Sequence, residues 1–472
     1  MPYNEIYDEI GAKRPQYAAI QTRTAVDVTK PDSSVVSTLS RDGIHPVPLV
    51  LDEDEYQSTL VPGMLQRALT LQALFEDIAI GSARVIDTGL VRPDEVECIL
   101  ASEGLAAKPL RQLWKGQSRE QIRFVYGPDL VRGPEGEWVV LEDNVGCVGG
   151  VAAGFATRDA YVKAAGLGPG HPSTTDLARA IKCFLERVGI QPDTSGLFGF
   201  AGRTPPGCGT SEAFETQWKA DCLRSFGITV TRPEELLDRI RQGAADPTAM
   251  VNLSATQTAA YRELARVTFT KSPVPVLGAP GVELIASKSF LPFDEALVAE
   301  YLDEQLVIRS ASSRLVRERP DHLPDKGVLK RSNGCQGTEV FFLDEIRDED
   351  GSRTLLETVR QWGPCAAIIQ ERVERSFLPG TGIGPPDPVQ VEIRPIVYVY
   401  GWRAAFVGEA VAARALPVNA ERRGNISPGG FFLPVLREAS NKNAGREGCS
   451  LRGPLVIGSL TEDRRGQLGR RC

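Results

Sequence analysis

Residues 127–144 read GPDLVRGPEGEWVVLEDN. Two runs rich in β-formers, DLVR and EWVVLE, flank Pro134-Glu135-Gly136, which is the pattern of a β-hairpin. With Glu135-Gly136 as a two-residue turn, opposed residue numbers sum to 271, and Asp129 lies directly across from Glu142. Opposed residues share a face with Cβ atoms about 4.5–5.5 Å apart, where two carboxylates repel unless a cation sits between them. Asn144 projects from that same face because side chains alternate along a strand, whereas Asp143 points the other way and reads as structural. Two carboxylates and an amide oxygen make a hard oxygen cluster suited to Mg²⁺, which takes one or two carboxylates and completes its shell with water and substrate phosphate. In isolation the same residues also read as an exposed acidic sheet face. The apolar neighbours Leu130, Val131, Val139, Val140 and Leu141 argue against complete exposure.

The rest of the composition leaves few other routes to metal chemistry. The chain has 472 residues, with 42% hydrophobic, 24% charged and 7% aromatic, and a net charge of −7. This is globular composition, long enough at about 150 residues per domain for roughly three domains, and it excludes disorder as the dominant state. The acidic balance argues against a nucleic-acid-coating role. No apolar run approaches the ~18–20 residues that cross a bilayer, and the acidic start MPYNEIYDEIGAKRP is unlike a signal peptide, so the expected location is the cytoplasm. Nine cysteines without a CxxC pair suggest neither a disulfide framework nor a zinc cage. Three histidines, His45, His171 and His322, none at ligand spacing to another, leave oxygen as the main available metal donor.

Residues 55–80 place Leu60, Met64, Ala68, Leu71, Leu74 and Phe75 at three- and four-residue steps, predicting an amphipathic packing helix. From 175 a βα rhythm begins: a helix over 175–188, a buried strand over 196–202, a helical face of Phe214, Trp218, Cys222 and Phe226, strands at 227–230 and 249–253, and a helix over 257–266. That alternation predicts a parallel-sheet α/β domain at about 170–312. From 327 the pattern turns to strands at 328–330, 339–342, 365–374 and 388–416, an antiparallel-rich α+β region. The stretch 437–472, rich in Gly and Arg without a sustained apolar period, reads as a loosely ordered tail.

Within the α+β region, Ser332-Asn333-Gly334-Cys335-Gln336-Gly337 joins two strands, and its small residues would let backbone N–H groups approach phosphate oxygens beside Lys330. It lacks the Walker spacing, and taken alone it equally fits a hairpin with a Gly turn and a surface lysine. Ile368-Ile369-Gln370-Glu371-Arg372-Val373 is an apolar strand running into an irregular segment that could offer its backbone to an adenine edge and a carboxylate to the adenine amino group or ribose. An edge strand with solvated charges fits it as well. Arg394 in VEIRPIV alternates with apolar residues and is a candidate inward-facing charge that needs an anion. Arg414 is followed by a second Gly-rich segment, Asn425-Ile426-Ser427-Pro428-Gly429-Gly430.

As an ordered set, these residues resemble the ATP-grasp superfamily in its circularly permuted branch. The series Lys288, Lys330, Asn333 to Gly337, Gln370 to Val373, Arg394, Arg414 and Asn425-Gly429-Gly430 is similar to the family's order of lysine, phosphate clamp, adenine hinge and arginines. The metal hairpin that ordinarily closes the series stands instead near the N-terminus, at Asp129, Glu142 and Asn144, as a permutation would produce. The resemblance covers roughly residues 3–436. It implies a multidomain α/β and α+β chain with a circularly permuted ATP-grasp fold and a pre-ATP-grasp α/β domain. The expected division is a helical leader (1–92), the transposed metal-binding part of the core (93–168), the α/β domain (169–312), a nucleotide clamp (313–376), the remainder of the core (377–436) and a tail (437–472).

The resemblance also implies ATP-dependent, Mg²⁺-dependent ligation of a small-molecule carboxylate to an amine through an acyl-phosphate. Lys288, Lys330, Asn333, Gly334, Gly337, Gln370, Glu371 and Val373 would bind ATP, and Asp129, Glu142 and Asn144 would hold Mg²⁺. Arg394, Arg414 and Lys330 would offset charge in phosphoryl transfer, and Arg414, Asn425, Gly429 and Gly430 would hold the carboxylate or acyl-phosphate. No nucleic-acid or membrane partner is expected. A small-molecule kinase on the same scaffold, or an ATP-binding scaffold protein without turnover, remains the alternative.

Overall fold

The resemblance to a permuted chain requires the hairpin at 129–142 to join strands near the other end of the sequence, and it does. In a computed structural model, residues 2–17, 43–81, 84–102, 107–146, 148–166, 175–192, 194–201, 210–253, 259–269, 274–334, 339–346, 348–379, 388–417 and 430–437 are described. Strands Asp129–Arg132 and Trp138–Glu142 join Val389–Gly401, Ala404–Pro417 and Phe431–Phe432 in a seven-stranded sheet, to which Phe124–Tyr126 and Phe377–Leu378 add on Val389–Gly401. Every pairing within it is antiparallel, with Ile393 against Leu130 and Val397 to Val399 against Tyr126 to Phe124. The sequence from 388 to 416 folds back on itself because Val389–Gly401 and Ala404–Pro417 are joined by the tight turn Trp402-Arg403, Arg403 adopting φ 52°.

The central hairpin differs from its expectation in one respect. Leu130, Val131 and Arg132 pair with Val140, Val139 and Trp138, a sum of 270 rather than 271. The loop is longer than two residues: Gly136 N donates to Gly133 O at 3.0 Å, Gly133 N donates to Glu137 O at 2.8 Å, and Gly136 takes φ +86°, the three-residue hairpin built on a left-handed glycine. A bulge between Asp129 and Leu130 then inserts Leu141 as an extra residue and brings Asp129 opposite Glu142 after all. The expected juxtaposition therefore stands, but through two compensating register steps rather than a two-residue turn.

A second, four-stranded antiparallel sheet runs Val340–Phe342, Val328–Arg331, Ala367–Gln370, Ser313–Leu315 and carries helix Glu349–Trp362, whose Leu355 and Val359 are buried against it. The βα rhythm yields a four-stranded parallel sheet in the order Thr229–Val230, Leu197–Phe200, Ala249–Asn252, Val276–Leu277. Leu49–Leu51 pairs in parallel with Val435–Arg437, a further contact between the two ends of the chain. Of the stretch read as a tail, only Arg437 lies within the described residues.

Helix Val61–Ala79 buries Met64, Ala68, Leu71, Leu74 and Phe75, and Leu60 before it, as their spacing predicts. The helix is not amphipathic, however. Gln66, Arg67, Thr70, Gln72 and Asp77 on its polar side are buried too. They are there to hydrogen-bond other backbone and charged groups: Gln72 Nε2 donates to the carbonyls of Ile122 (2.8 Å) and Gly401 (2.9 Å), and Asp77 accepts from the backbone N–H groups of Arg84 and Val85 (2.7 Å each). No described helix is long and apolar enough to cross a membrane. Cys98, Cys183, Cys222 and Cys365 are free thiols.

Candidate functional site

Alternation along Val389–Gly401 places Glu392 and Arg394 on one face, and the neighbouring hairpin sets Asp129 beside them. Arg394 grips Asp129 with both arms, Nε to Oδ1 at 2.6 Å and Nη2 to Oδ2 at 2.8 Å, and Nη1 donates to the Gly149 carbonyl at 3.1 Å. This is the anion that a buried arginine required. Burial nevertheless drives the Asp129 carboxyl up to about 7; Arg394 pulls it down, while Glu392 and Glu142 add like charge. Asp129 and Glu142 face one another across the hairpin, close enough for each to influence the other's ionisation. For Glu142, burial opposes ionisation, but Lys288 and Lys330 outweigh it and hold the group down at about 2.

Those two lysines come from elements far from the hairpin in sequence. Lys288 begins the short 3₁₀ segment Lys288–Phe293; its Nζ lies 3.3 Å from Glu142 Oε2 and donates to the Gly334 carbonyl at 2.7 Å. Lys330 lies on Val328–Arg331, 8% exposed, and burial lowers its pKa to about 8 against the pull of Glu142, with Lys288 and Arg375 lowering it further. Its Nζ donates to the Leu141 carbonyl at 3.3 Å, and Gln370 Nε2 donates to the same carbonyl at 3.2 Å. Leu141 is the bulge residue, so the irregularity that sets Asp129 against Glu142 also presents a carbonyl by which two residues of the second sheet are held to the hairpin.

Asn144 donates from Nδ2 to the Gly127 carbonyl at 3.0 Å, which leaves its Oδ1 without a donor among the described residues. Asp143 faces away, as alternation predicts, into a buried network with Arg67 and Tyr126. Among the described residues no group of three or more His, Cys, Asp and Glu side chains could hold a metal ion. The donor set at hand is therefore two carboxylates and one amide oxygen, which fits a hard cation completed by substrate oxygens rather than an all-protein cage.

Other expected site residues are dispersed differently. Glu371 is engaged elsewhere: its Oε1 accepts from Arg309 Nη1 at 2.5 Å and Ser312 N at 3.0 Å, and its own N–H donates to Ser312 O at 2.8 Å. Its carboxylate is thus tied to the opposite strand entry, because Arg309 supplies a charge that a reading of the segment by itself does not show. Val373 packs its side chain on Val131, Val139, Leu141 and Ala311. Asn333 is exposed and Gly334 half-buried beyond the end of Val328–Arg331. Gly430 is buried next to Phe431–Phe432, where Phe432 pairs with Arg414. Gly337, Asn425 and Gly429 lie outside the described residues.

Two charged residues of the site escape sequence reasoning. Glu392, 5% exposed, is the register partner of Arg414 and lies 4.0 Å from its Nη1. Arg375 Nη1 lies 3.2 Å from the other oxygen of Glu392. The alternation that singles out Arg394 applies equally to Glu392 two residues earlier. Arg375 sits in an irregular segment, where no spacing rule reaches.

Two lysines, three arginines, Glu392 and the hairpin carboxylates thus come together between the two sheets. Residues 48–178 match the circularly permuted ATP-grasp type 2 family. The segment contains the hairpin with Asp129, Glu142 and Asn144. The chain is 26% identical over 88% of its length to a putative glutamate--cysteine ligase 2-2 of Frankia casuarinae. A putative glutamate--cysteine ligase 2-3 of Frankia alni is 31% identical over 32% of this chain. The chain spans about half the length (51%) of the first relative, and 19% of the second is matched. A solved structure of a glutathione synthetase-like effector from Globodera pallida, in its apo form, superposes with TM-score 0.50 at 12% identity, covering 90% of this chain and 98% of that one. The fold is accordingly a mixed α/β and α+β architecture like that of this effector, with one segment similar to the circularly permuted ATP-grasp type 2 family.

Proposed function

We propose that this chain is an ATP-dependent carboxylate–amine ligase that forms an amide through an acyl-phosphate. The observation that carries this reading is the convergence, from opposite ends of the chain, of the Asp129–Glu142 pair with Lys288, Lys330 and Arg394. Oxygen donors set among cations suit a magnesium-bound polyphosphate, whose transfer needs no protein nucleophile. Asp129, Glu142 and the free Oδ1 of Asn144 would hold Mg²⁺, whose role when bound is to neutralise and orient phosphate oxygens.

In this reading the substrate carboxylate oxygen attacks the terminal phosphorus of ATP and ADP departs; the amine nitrogen then attacks the acyl carbon and phosphate departs. Lys288 leaves Glu142, and Lys330 the Leu141 carbonyl, for the incoming phosphates. Arg414 steadies the acyl-phosphate, a role that Asn425, Gly429 and Gly430 share. Asn333, Gly334 and Gly337 cover the phosphates, and Gln370 and the backbone of Val373 border the base. The Glu371 carboxylate acts through its pair with Arg309. Residues 93–168 and 377–436 make one core, with the α/β domain (169–312) and the clamp (313–376) inserted, after a leader of 1–92.

The substrate pair to try first is L-glutamate with L-cysteine, since both relatives are named for it. With Mg²⁺ and ATP, phosphate release should require acid and amine together, and the product mass should equal their sum less one water. ADP formation without the amine, with the phosphoryl group retained on a stable phosphorylated acid, would make the protein a kinase. Glu142→Gln should abolish turnover and leave the fold intact; an active, Mg²⁺-dependent variant would remove Glu142 from the metal site.

A further inference from the structure

The two ion pairs of the central sheet are unequal. Asp129 and Arg394 form a closed pair in which Nε and Nη2 both reach the carboxylate, at 2.5 to 2.8 Å. Glu392, two residues along the same strand face, is instead shared: Arg375 Nη1 approaches one oxygen at 3.2 Å and Arg414 Nη1 lies 4.0 Å from the other. Glu392 is 6% exposed at its side chain, whereas Arg375 and Arg414 are 19% and 23% exposed, so the carboxylate is the buried root and the guanidinium groups are the accessible tips. Arg375 spends one N–H on Glu392, and its other donors have no partner among the described residues. Lys330 lies near enough for Arg375 to disfavour its charged form. A planar fork with free donors, anchored from behind by a buried carboxylate and set beside another cation, is built to receive an oxyanion in front.

We propose that Arg375, oriented by Glu392 beside Arg414, grips an oxyanion of the reacting pair, either the terminal phosphoryl group of the nucleotide or the carboxylate that receives it. This rests on the ligase reading above and adds a residue to it. Arg375 would touch substrate; Glu392 is a positioning residue that acts through it. The closed Asp129–Arg394 pair makes Arg394 the less available of the arginines for that contact, so the load falls on Arg375 and Arg414.

The test is calorimetric binding to the full chain, with Mg²⁺ and three probes: the non-hydrolysable triphosphate AMPPNP, ADP, and L-glutamate. Arg375→Met should weaken one probe by roughly 10- to 100-fold, the loss expected for a hydrogen bond to a charged group. A selective loss for AMPPNP over ADP assigns the contact to the terminal phosphoryl group, and a selective loss for L-glutamate assigns it to the carboxylate. Arg375→Lys, which keeps the charge but not the fork, should recover part of the loss and guards against a folding defect in the first variant. Glu392→Gln should reproduce the same selectivity at smaller amplitude, which a merely structural role would not do. Unchanged binding of all three probes by Arg375→Met, or an equal loss for AMPPNP, ADP and L-glutamate, would overturn the proposal while leaving the ligase reading intact. A wild-type chain that binds none of the probes would overturn both.

Discussion

Arg67 offers the most direct test of how the hairpin 129–142 is held. Its guanidinium is buried among four elements: Nη2 and Nε reach Asp143 at 2.9 and 3.3 Å, Nη1 reaches Asp294 at 2.9 Å, and Nε also lies 3.3 Å from Tyr126 Oη, which itself donates to Asp143 at 2.7 Å. Arg67 and Asp143 are 4% and 9% exposed, whereas Asp294 is 19% exposed and can be hydrated. Arg67→Met keeps the volume but strands the Asp143 carboxylate with the Tyr126 hydroxyl as its remaining donor. Removing one partner of a buried pair costs about 3–5 kcal/mol, most of it the uncompensated charge. In Arg67→Met/Asp143→Asn that charge is gone, and roughly 2 kcal/mol should return, since replacing both members of a buried pair is far cheaper than breaking it. Urea unfolding followed by tryptophan fluorescence reads both as midpoint shifts at constant slope, and the double-mutant cycle isolates the coupling. Because Asp143 stands between Glu142 and Asn144, the single variant should also raise the Mg²⁺ concentration needed for half-maximal turnover. A loss below about 1 kcal/mol for Arg67→Met, or no coupling in the cycle, would refute the idea that this pair fixes the hairpin's orientation.

Three further outcomes follow from the same geometry. Gly136→Ala should cost about 2 kcal/mol, because φ is +86° and a Cβ would stand 2.5 Å from the Tyr3 ring; in a Tyr3→Ala background, thermal unfolding should show the cost falling to the backbone part, about 1 kcal/mol. His45 is 4% exposed and burial lowers its pKa below 6.5, so the unfolded chain takes up a proton first. Its contribution is nil above pH 6.5 and turns increasingly unfavourable as pH falls to the folded-state value; His45→Gln should flatten that part of a stability-against-pH curve, and an unchanged curve would exclude His45 as its source. Lys330→Ala should weaken nucleotide binding about tenfold or more in equilibrium titrations, and unchanged affinity would remove Lys330 from the clamp.

Much of this protein could be read from its residues in order. The βα rhythm from 175, the strands from 328, and the return of 389–417 follow from local periodicity, which survives folding because each element must bury an apolar face. The pairing of Asp129 with Glu142 was also legible, although by a register that the molecule reaches differently: the Gly136 turn removes one step and the Leu141 bulge restores it. A bulge has no local code, because its extra residue is stabilised by what donates to its freed carbonyl, here Lys330 and Gln370, 189 and 229 residues away. The helix Val61–Ala79 misleads for a related reason: Arg67, Gln72 and Asp77 look solvent-facing in a helical projection, yet each has a buried partner supplied by a distant segment.

The sequence by itself determined which chemistry was available. Three histidines and scattered cysteines leave oxygen ligands, and the order of lysines, glycines, arginines and acidic hairpin resembles that of the permuted ATP-grasp family. Only the tertiary structure decided which charges face one another: Arg394 closed on Asp129, Glu371 drawn to Arg309, and Glu392 shared between Arg375 and Arg414. Charge type is a property of a residue, but pairing depends on register, bulges and the approach of separate sheets, and those are set by the packing of the whole chain.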